Sequence, residues 1–131
     1  MGIDWAGGRK KTGMVLAGEN MISKERYDFI VYQTTGMGLD AIWLYLCQDA
    51  ETYAERKRLF IWMLKKLLQE ETILLAKNGK PIDWTIEEVT LRFEISFPSD
   101  DENLNNGVWF FTDECPASIG WRMSNGYIDW V

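Results

Sequence analysis

Large apolar residues recur at helical spacing over Ser23–Glu70 and Thr85–Phe97, with short β-type runs between those stretches and after Val108. Ser23 is a good N-cap, and Tyr27, Ile30 and Val31 fall on one face of a helix running to about Gln33. The two glycines of Thr34–Gly38 break it. Leu39–Cys47, and Ala41–Cys47 within it, fits two periods: Leu39, Ile42, Trp43 and Leu46 suit a helix, while Ile42, Leu44 and Leu46 alternate with Trp43, Tyr45 and Cys47 as in a strand. The short buried helix is preferred. Asp49 is then placed to cap a long helix over Ala50–Glu70, with Tyr53, Phe60, Met63, Leu64 and Leu67 on one face. Each large side chain of that stripe contributes about 1.5–3 kcal/mol on burial, which makes it the spine of the core.

The later elements are marked by turn and cap chemistry. Asn78-Gly79 suits a two-residue type I′ turn, so Thr72–Ala76 and Lys80–Ile82 form a hairpin whose Pro81 belongs on an edge. Thr85 and Glu88 make a capping box for a helix carrying Ile86, Val89, Phe93 and Phe97 and stopping before Pro98. An acidic loop follows, through Asp100, Asp101 and Glu102 to Gly107. The end of the chain reads as a three-stranded meander: Val108–Thr112, Ile119–Ser124 and Tyr127–Val131. A type I′ turn at Asn125-Gly126 would pair Trp121 with Trp130 and Arg122 with Asp129, and put Trp121, Met123, Ile128 and Trp130 on one face. The expected fold is α+β, with N-terminal helices packed on a small C-terminal antiparallel sheet. Residues 1–20, glycine-rich and aperiodic, read as a flexible leader, and residues 21–131 as a single domain.

Composition narrows the function classes. The chain is 131 residues long, 47% hydrophobic and 14% aromatic, and has enough length for one core without metal or disulfide support. No apolar run approaches a membrane span or a secretory signal, and Cys47 and Cys115 are unpaired in spacing, so the expected location is the cytoplasm. Charge is unevenly spread. Residues 1–80 hold 12 Lys/Arg against 10 Asp/Glu, a balance of +2, whereas residues 81–131 hold 2 against 10, a balance of −8. An acidic C-terminal part repels phosphate backbones and attracts basic partners.

Candidate chemistry is sparse. The absence of histidine removes Ser-His-Asp and Cys-His catalysis and His-ligated metals, and no carboxylate pair stands out by spacing, so no activity, cofactor or metal is expected. Asp113, Glu114 and Cys115 precede Pro116 in what reads as a solvated turn and not a metal site, and Asp100–Glu102 lack the alternating acids and central glycine of a calcium loop. Cys47 reads as a small buried hydrophobe. Arg56, Lys57, Arg58, Lys65 and Lys66 on the long helix are the footing for a nucleic-acid-binding reading. The interleaved Glu55, Glu70 and Glu71 and a pI near 4.7 oppose it. Of the seven tryptophans (Trp5, Trp43, Trp62, Trp84, Trp109, Trp121 and Trp130) most should be core; two or more surfacing beside Asp113, Glu114 or Asp129 would form an aromatic and acidic patch that anchors a partner.

Met21-Ile22-Ser23, Gly38–Tyr45, the helix beginning near Ala50, the turn in Leu75–Lys80, Thr85–Glu88, and Trp109-Phe110-Phe111 with Asp113–Pro116 resemble domain of unknown function family 596. The resemblance runs from Met21 onward and implies a small bacterial protein, some relatives being encoded near polymorphic or contact-dependent toxin systems. It carries over no catalytic residue. The resulting expectation is a non-enzymatic cytosolic protein-binding module, with an immunity protein against a basic toxin domain as its sharpest form, using Asp100, Asp101, Glu102, Trp109, Asp113 and Glu114. The alternatives are a nucleic-acid-binding regulator using the long helix and an oligomeric structural protein.

Overall fold

The computed structural model describes residues 21–131; the leader expected over residues 1–20, with Trp5, lies outside them. The described residues divide into two units, with the boundary after Gln33. In the first, Ser23 caps helix α1 (Lys24–Thr34): its Oγ accepts the Arg26 N–H at 3.0 Å, and Tyr27 and Ile30 are buried as the spacing predicts.

The second unit begins with α2 (Leu39–Tyr45), which continues as a 3₁₀ turn over Leu46–Asp49, so this stretch is helical, as preferred from its sequence. Leu39, Ile42, Trp43 and Leu46 are buried. Cys47 is exposed, contrary to expectation. The tightening to about three residues per turn at Leu46 rotates the next side chain off the buried stripe. The long helix α3 (Tyr53–Gln69) starts later than expected, because Thr52 and not Asp49 is its N-cap, in a capping box with Glu55. Phe60, Met63 and Leu67 are fully buried on its inner face. The helix ends with Glu71 in the left-handed region (φ 59°), where the Thr72 N–H reaches the Leu67 carbonyl.

β1 (Ile73–Lys77) and β2 (Lys80–Pro81) form the expected hairpin, with positive φ at both Asn78 and Gly79. Helix α4 (Ile86–Ser96) is capped by the Thr85–Glu88 box and stops at Phe97, before Pro98. The short α5 (Asp101–Leu104) and a 3₁₀ stretch over Asn105–Phe111 follow, and then β3 (Ser118–Arg122) and β4 (Ile128–Trp130).

The sheet is antiparallel with order β2-β1-β3-β4, so the α+β expectation holds with four strands and a different first partner. Val108–Thr112 is not a strand. Its place beside β3 is taken by β1, which pairs Ile73 with Trp121 and Leu75 with Ile119; these four side chains are 1–3% exposed and form the sheet's buried face. Local sequence did not reveal this because a β1–β3 pairing spans more than 40 residues, and its energy lies in tertiary burial.

The final hairpin is also shifted by one residue. Gly126 (φ 87°) has positive φ but Asn125 does not, and the Gly126 N–H donates to the Met123 carbonyl at 2.9 Å. The loop is therefore a three-residue turn ending in a left-handed glycine, not a type I′ turn. Trp121 faces Asp129, Arg122 faces Ile128, and Trp130 faces Gly120, which places Trp121 and Trp130 on opposite faces. Trp121 is anchored in the core by its Nε1–H, which donates to the Met37 carbonyl at 2.8 Å.

The Trp130 ring lies across Gly120: a Cβ there would sit 2.5 Å from Trp130 Cε3. Gly120→Ala is expected to push the ring off the sheet, at a cost of about 1–2 kcal/mol. A lowered urea midpoint together with a displaced Trp130 indole resonance checks this.

Candidate functional site

Pro98 and the extended Phe97 end α4, and Asp100 starts a new turn: its Oδ1 accepts the Asn103 N–H at 2.8 Å and the Asn103 side-chain N–H at 2.9 Å. The acidic loop expected here is thus a capped turn of helix, with Asp100, Asp101 and Glu102 all exposed. Tyr53, at the start of α3, donates its hydroxyl to the Pro98 carbonyl at 2.8 Å. Burial, and then the fields of Asp101 and Asp100, push that phenol up to about 12. These two carboxylates therefore lie beside the first turn of α3.

Asn105, Asn106 and Gly107 all have positive φ (55°, 54° and 91°) and reverse the chain into the 3₁₀ stretch. Asparagine and glycine tolerate that region best, which is the local signal that opposed a strand. Trp109 and Phe110 turn inward. Trp109, expected at the contact surface, is 4% exposed, with its ring 4.9 Å from Phe97 and 5.2 Å from Phe110. Val108 and Phe111, three apart and hence aligned in a 3₁₀ turn, face outward at 51% and 74% exposure. α2 packs on this stretch, and its Leu44 is also exposed.

Beyond Phe111 come Asp113 and Glu114, both exposed. Lys77 is nearby but donates to the backbone carbonyls of Asp113 (3.0 Å) and Cys115 (2.8 Å), leaving the carboxylates alone. Among the described residues none of Asp100, Asp101, Glu102, Asp113 and Glu114 is in an ion pair. The five acids fall in two groups: one by the start of α3, one by the end of β1. The apolar ridge Val108–Phe111 lies between them in sequence. Phe111, Val108 and Leu44 escaped the sequence reading because residues 108–112 read as a strand and not as a 3₁₀ turn, and Leu44 sits off the helical stripe. Among the tryptophans, Trp43, Trp109 and Trp121 are buried, and Trp130, beside Asp129, is 43% exposed.

Cys115 is buried and not part of a solvated turn. Its thiol donates to the Ala117 carbonyl at 3.4 Å, and burial pushes it from 9.0 up to about 11. Among the described residues no group of three His, Cys, Asp or Glu could hold a metal ion. For Cys115 and Tyr53 the folded pKa lies above the unfolded one, so the unfolded chain releases the proton first as pH rises. Their contribution to stability is complete below about pH 9 and is lost between 9 and 11 for Cys115 and between 10 and 12 for Tyr53. Urea midpoints should fall across that window, and less steeply in Cys115→Ala and Tyr53→Phe.

The basic residues of α3 are largely engaged in the fold. Arg56 is held on the Trp43 carbonyl, Lys57 donates to the Glu94 carbonyl at 3.3 Å, and Lys66 pairs with Glu70 at 3.1 Å. Only Arg58 and Lys65 of the five are exposed. No helix among the described residues is long and apolar enough to cross a membrane.

Residues 68–131 match the model of DUF596, a protein family of unknown function, so this segment is similar to that family. The segment holds the whole sheet and all five acids. The fold is similar to that of an uncharacterised protein conserved in bacteria, from Neisseria meningitidis, with a TM-score of 0.71 over 82% of this chain and 84% of that one, at 22% identity. At that identity the likeness concerns the fold alone. No curated protein matches the chain.

Proposed function

We propose that the protein is a non-catalytic cytoplasmic binding module for a basic protein partner, and that it acts as an immunity protein covering a basic toxin domain such as a nuclease. The observation that carries this reading is Phe111, 74% exposed in the same ridge as Val108 and followed directly by unpaired carboxylates at Asp113 and Glu114. An exposed ring gives a partner desolvated contact area, and free acids beside it supply steering and register without first having to break an internal ion pair. The excess of 10 acids over 2 bases beyond Lys80 extends the same field over the surrounding surface. The restraint of Arg56, Lys57 and Lys66 by the fold supports the protein-binding reading over nucleic-acid binding.

Calorimetry of the full chain against a basic toxin nuclease domain encoded in the same genome tests this. Heat is expected at low salt and a weaker affinity at moderate salt. Phe111→Ala should weaken binding about thirtyfold, as truncation of a central aromatic anchor does. Asp113→Asn with Glu114→Gln should chiefly slow association and flatten the salt dependence. No heat at either salt removes the reading.

A further inference from the structure

The two edges of the sheet differ in a way that bears on how a partner docks. The β2 edge is only Lys80 and Pro81: a charge and a residue without an N–H, both of which discourage strand addition. The β4 edge has neither lysine nor proline from Tyr127 to Val131, and Tyr127, Trp130 and Val131 are exposed. Its hydrogen-bonding phase is fixed at both ends. The Met123 N–H donates to the Tyr127 carbonyl at 2.8 Å, and the Val131 N–H to the Ile119 carbonyl at 3.1 Å. In an antiparallel ladder alternate residues turn their amide groups to the same neighbour, so Tyr127, Asp129 and Val131 face β3. The N–H and C=O of Ile128 and Trp130 then point off the sheet, and among the described residues nothing bonds them.

We infer that the partner adds an extended strand to this edge, bonding Ile128 and Trp130 through its backbone and setting a lysine or arginine against Asp129. This rests on the partner being basic, as proposed above. Asp129 has no ion pair among the described residues and is half-buried, so a cation directly opposite would complete it. The same residue disfavours a second copy of this chain as the occupant. A two-fold β4–β4 pairing that uses the free groups of both Ile128 and Trp130 brings Asp129 opposite Asp129, two like charges across a strand pair.

The probe is a short peptide of alternating valine and lysine, with its valine–glutamate counterpart as control, titrated into the full chain and followed by amide exchange and NMR. The lysine peptide should slow exchange at Ile128 and Trp130 about tenfold or more while leaving Asp129, already bonded to β3, unchanged. Ile128→Pro deletes an outward N–H and no bond to β3, and should weaken the peptide about tenfold. The lysine peptide N-methylated at alternate residues should lose binding to the unaltered protein, a measurement that does not depend on the variant folding. Asp129→Asn should abolish the preference for lysine over glutamate. The inference is overturned if exchange at Ile128 and Trp130 slows with protein concentration alone, if N-methylation leaves binding intact, or if the lysine peptide does not bind. Strand addition fails alone when the toxin domain still gives heat with the protein and with Ile128→Pro alike; absence of that heat removes the reading beneath it.

Discussion

Phe60→Ala is expected to cost about 3–5 kcal/mol and to lower the thermal midpoint by about 10–20 °C. Phe60 is fully buried, and its ring lies 5.4 Å from Phe110, 5.6 Å from Phe97, 6.0 Å from Trp43 and 6.2 Å from Phe93. It is the point where α2, α3, α4 and the 3₁₀ stretch before β3 meet. Removing its ring therefore leaves a cavity with rigid aromatic walls that cannot all collapse inward, which places the cost toward the upper end of the range for such truncations. Tilted and edge-to-face pairs of this kind add to the area burial, and all four are lost at once. Phe111→Ala, by contrast, removes a ring that is 74% exposed and should change stability by less than about 0.5 kcal/mol. Urea unfolding of both variants checks the contrast. A large loss in Phe111→Ala would mean that the exposed ridge serves the fold and not a partner.

The parts of this fold that were legible from sequence are those specified within a few residues. The Thr85–Glu88 box, the Asn78-Gly79 turn, the Ser23 cap and the buried stripe of α3 each rest on local chemistry that no distant contact overrides. The errors fall where two local solutions were nearly degenerate. Val108–Thr112 has the apolar content of a strand, yet three successive positive-φ residues precede it and the aromatic cluster offers Trp109 and Phe110 a deeper burial than a sheet would. At Asn125-Gly126 the dipeptide admits both a two-residue and a three-residue turn, and the choice moves every later side chain to the other face. The acidic members of the candidate site were legible as charges, but its apolar members were not, since exposure at Leu44, Val108 and Phe111 is decided by which neighbours pack against them.

Arg56→Ala is expected to destabilise the protein by about 2–3 kcal/mol, and Arg56→Lys by about 1–2 kcal/mol, so the nominally conservative exchange should recover only part of the loss. The guanidinium lies 4.1 Å above the Trp43 ring, and its Nε and Nη2 both donate to the Trp43 carbonyl, at 3.0 and 2.5 Å. That carbonyl is in the last turn of α2, where helical partners run out and a side-chain donor replaces them. Burial lowers the Arg56 pKa, the fields of Cys47, Asp101 and Tyr53 oppose that shift, and the guanidinium forms a cation–π contact with the ring. A lysine ammonium can follow the carbonyl or the ring but lacks the planar fork that serves both together. Near-ultraviolet circular dichroism should lose part of its tryptophan signal in both variants, because Trp43, 4% exposed, loses the guanidinium over its ring while keeping the rings of Tyr53, Phe60, Phe97 and Phe110. If Arg56→Lys matches the unaltered protein in urea midpoint, the two hydrogen bonds contribute nothing and the arginine lies on Trp43 only as apolar cover. If both variants lose stability as expected, the chief cation at the start of α3 is committed to the core, and the neighbouring Asp101, whose field also reaches Arg56, is left to act outward.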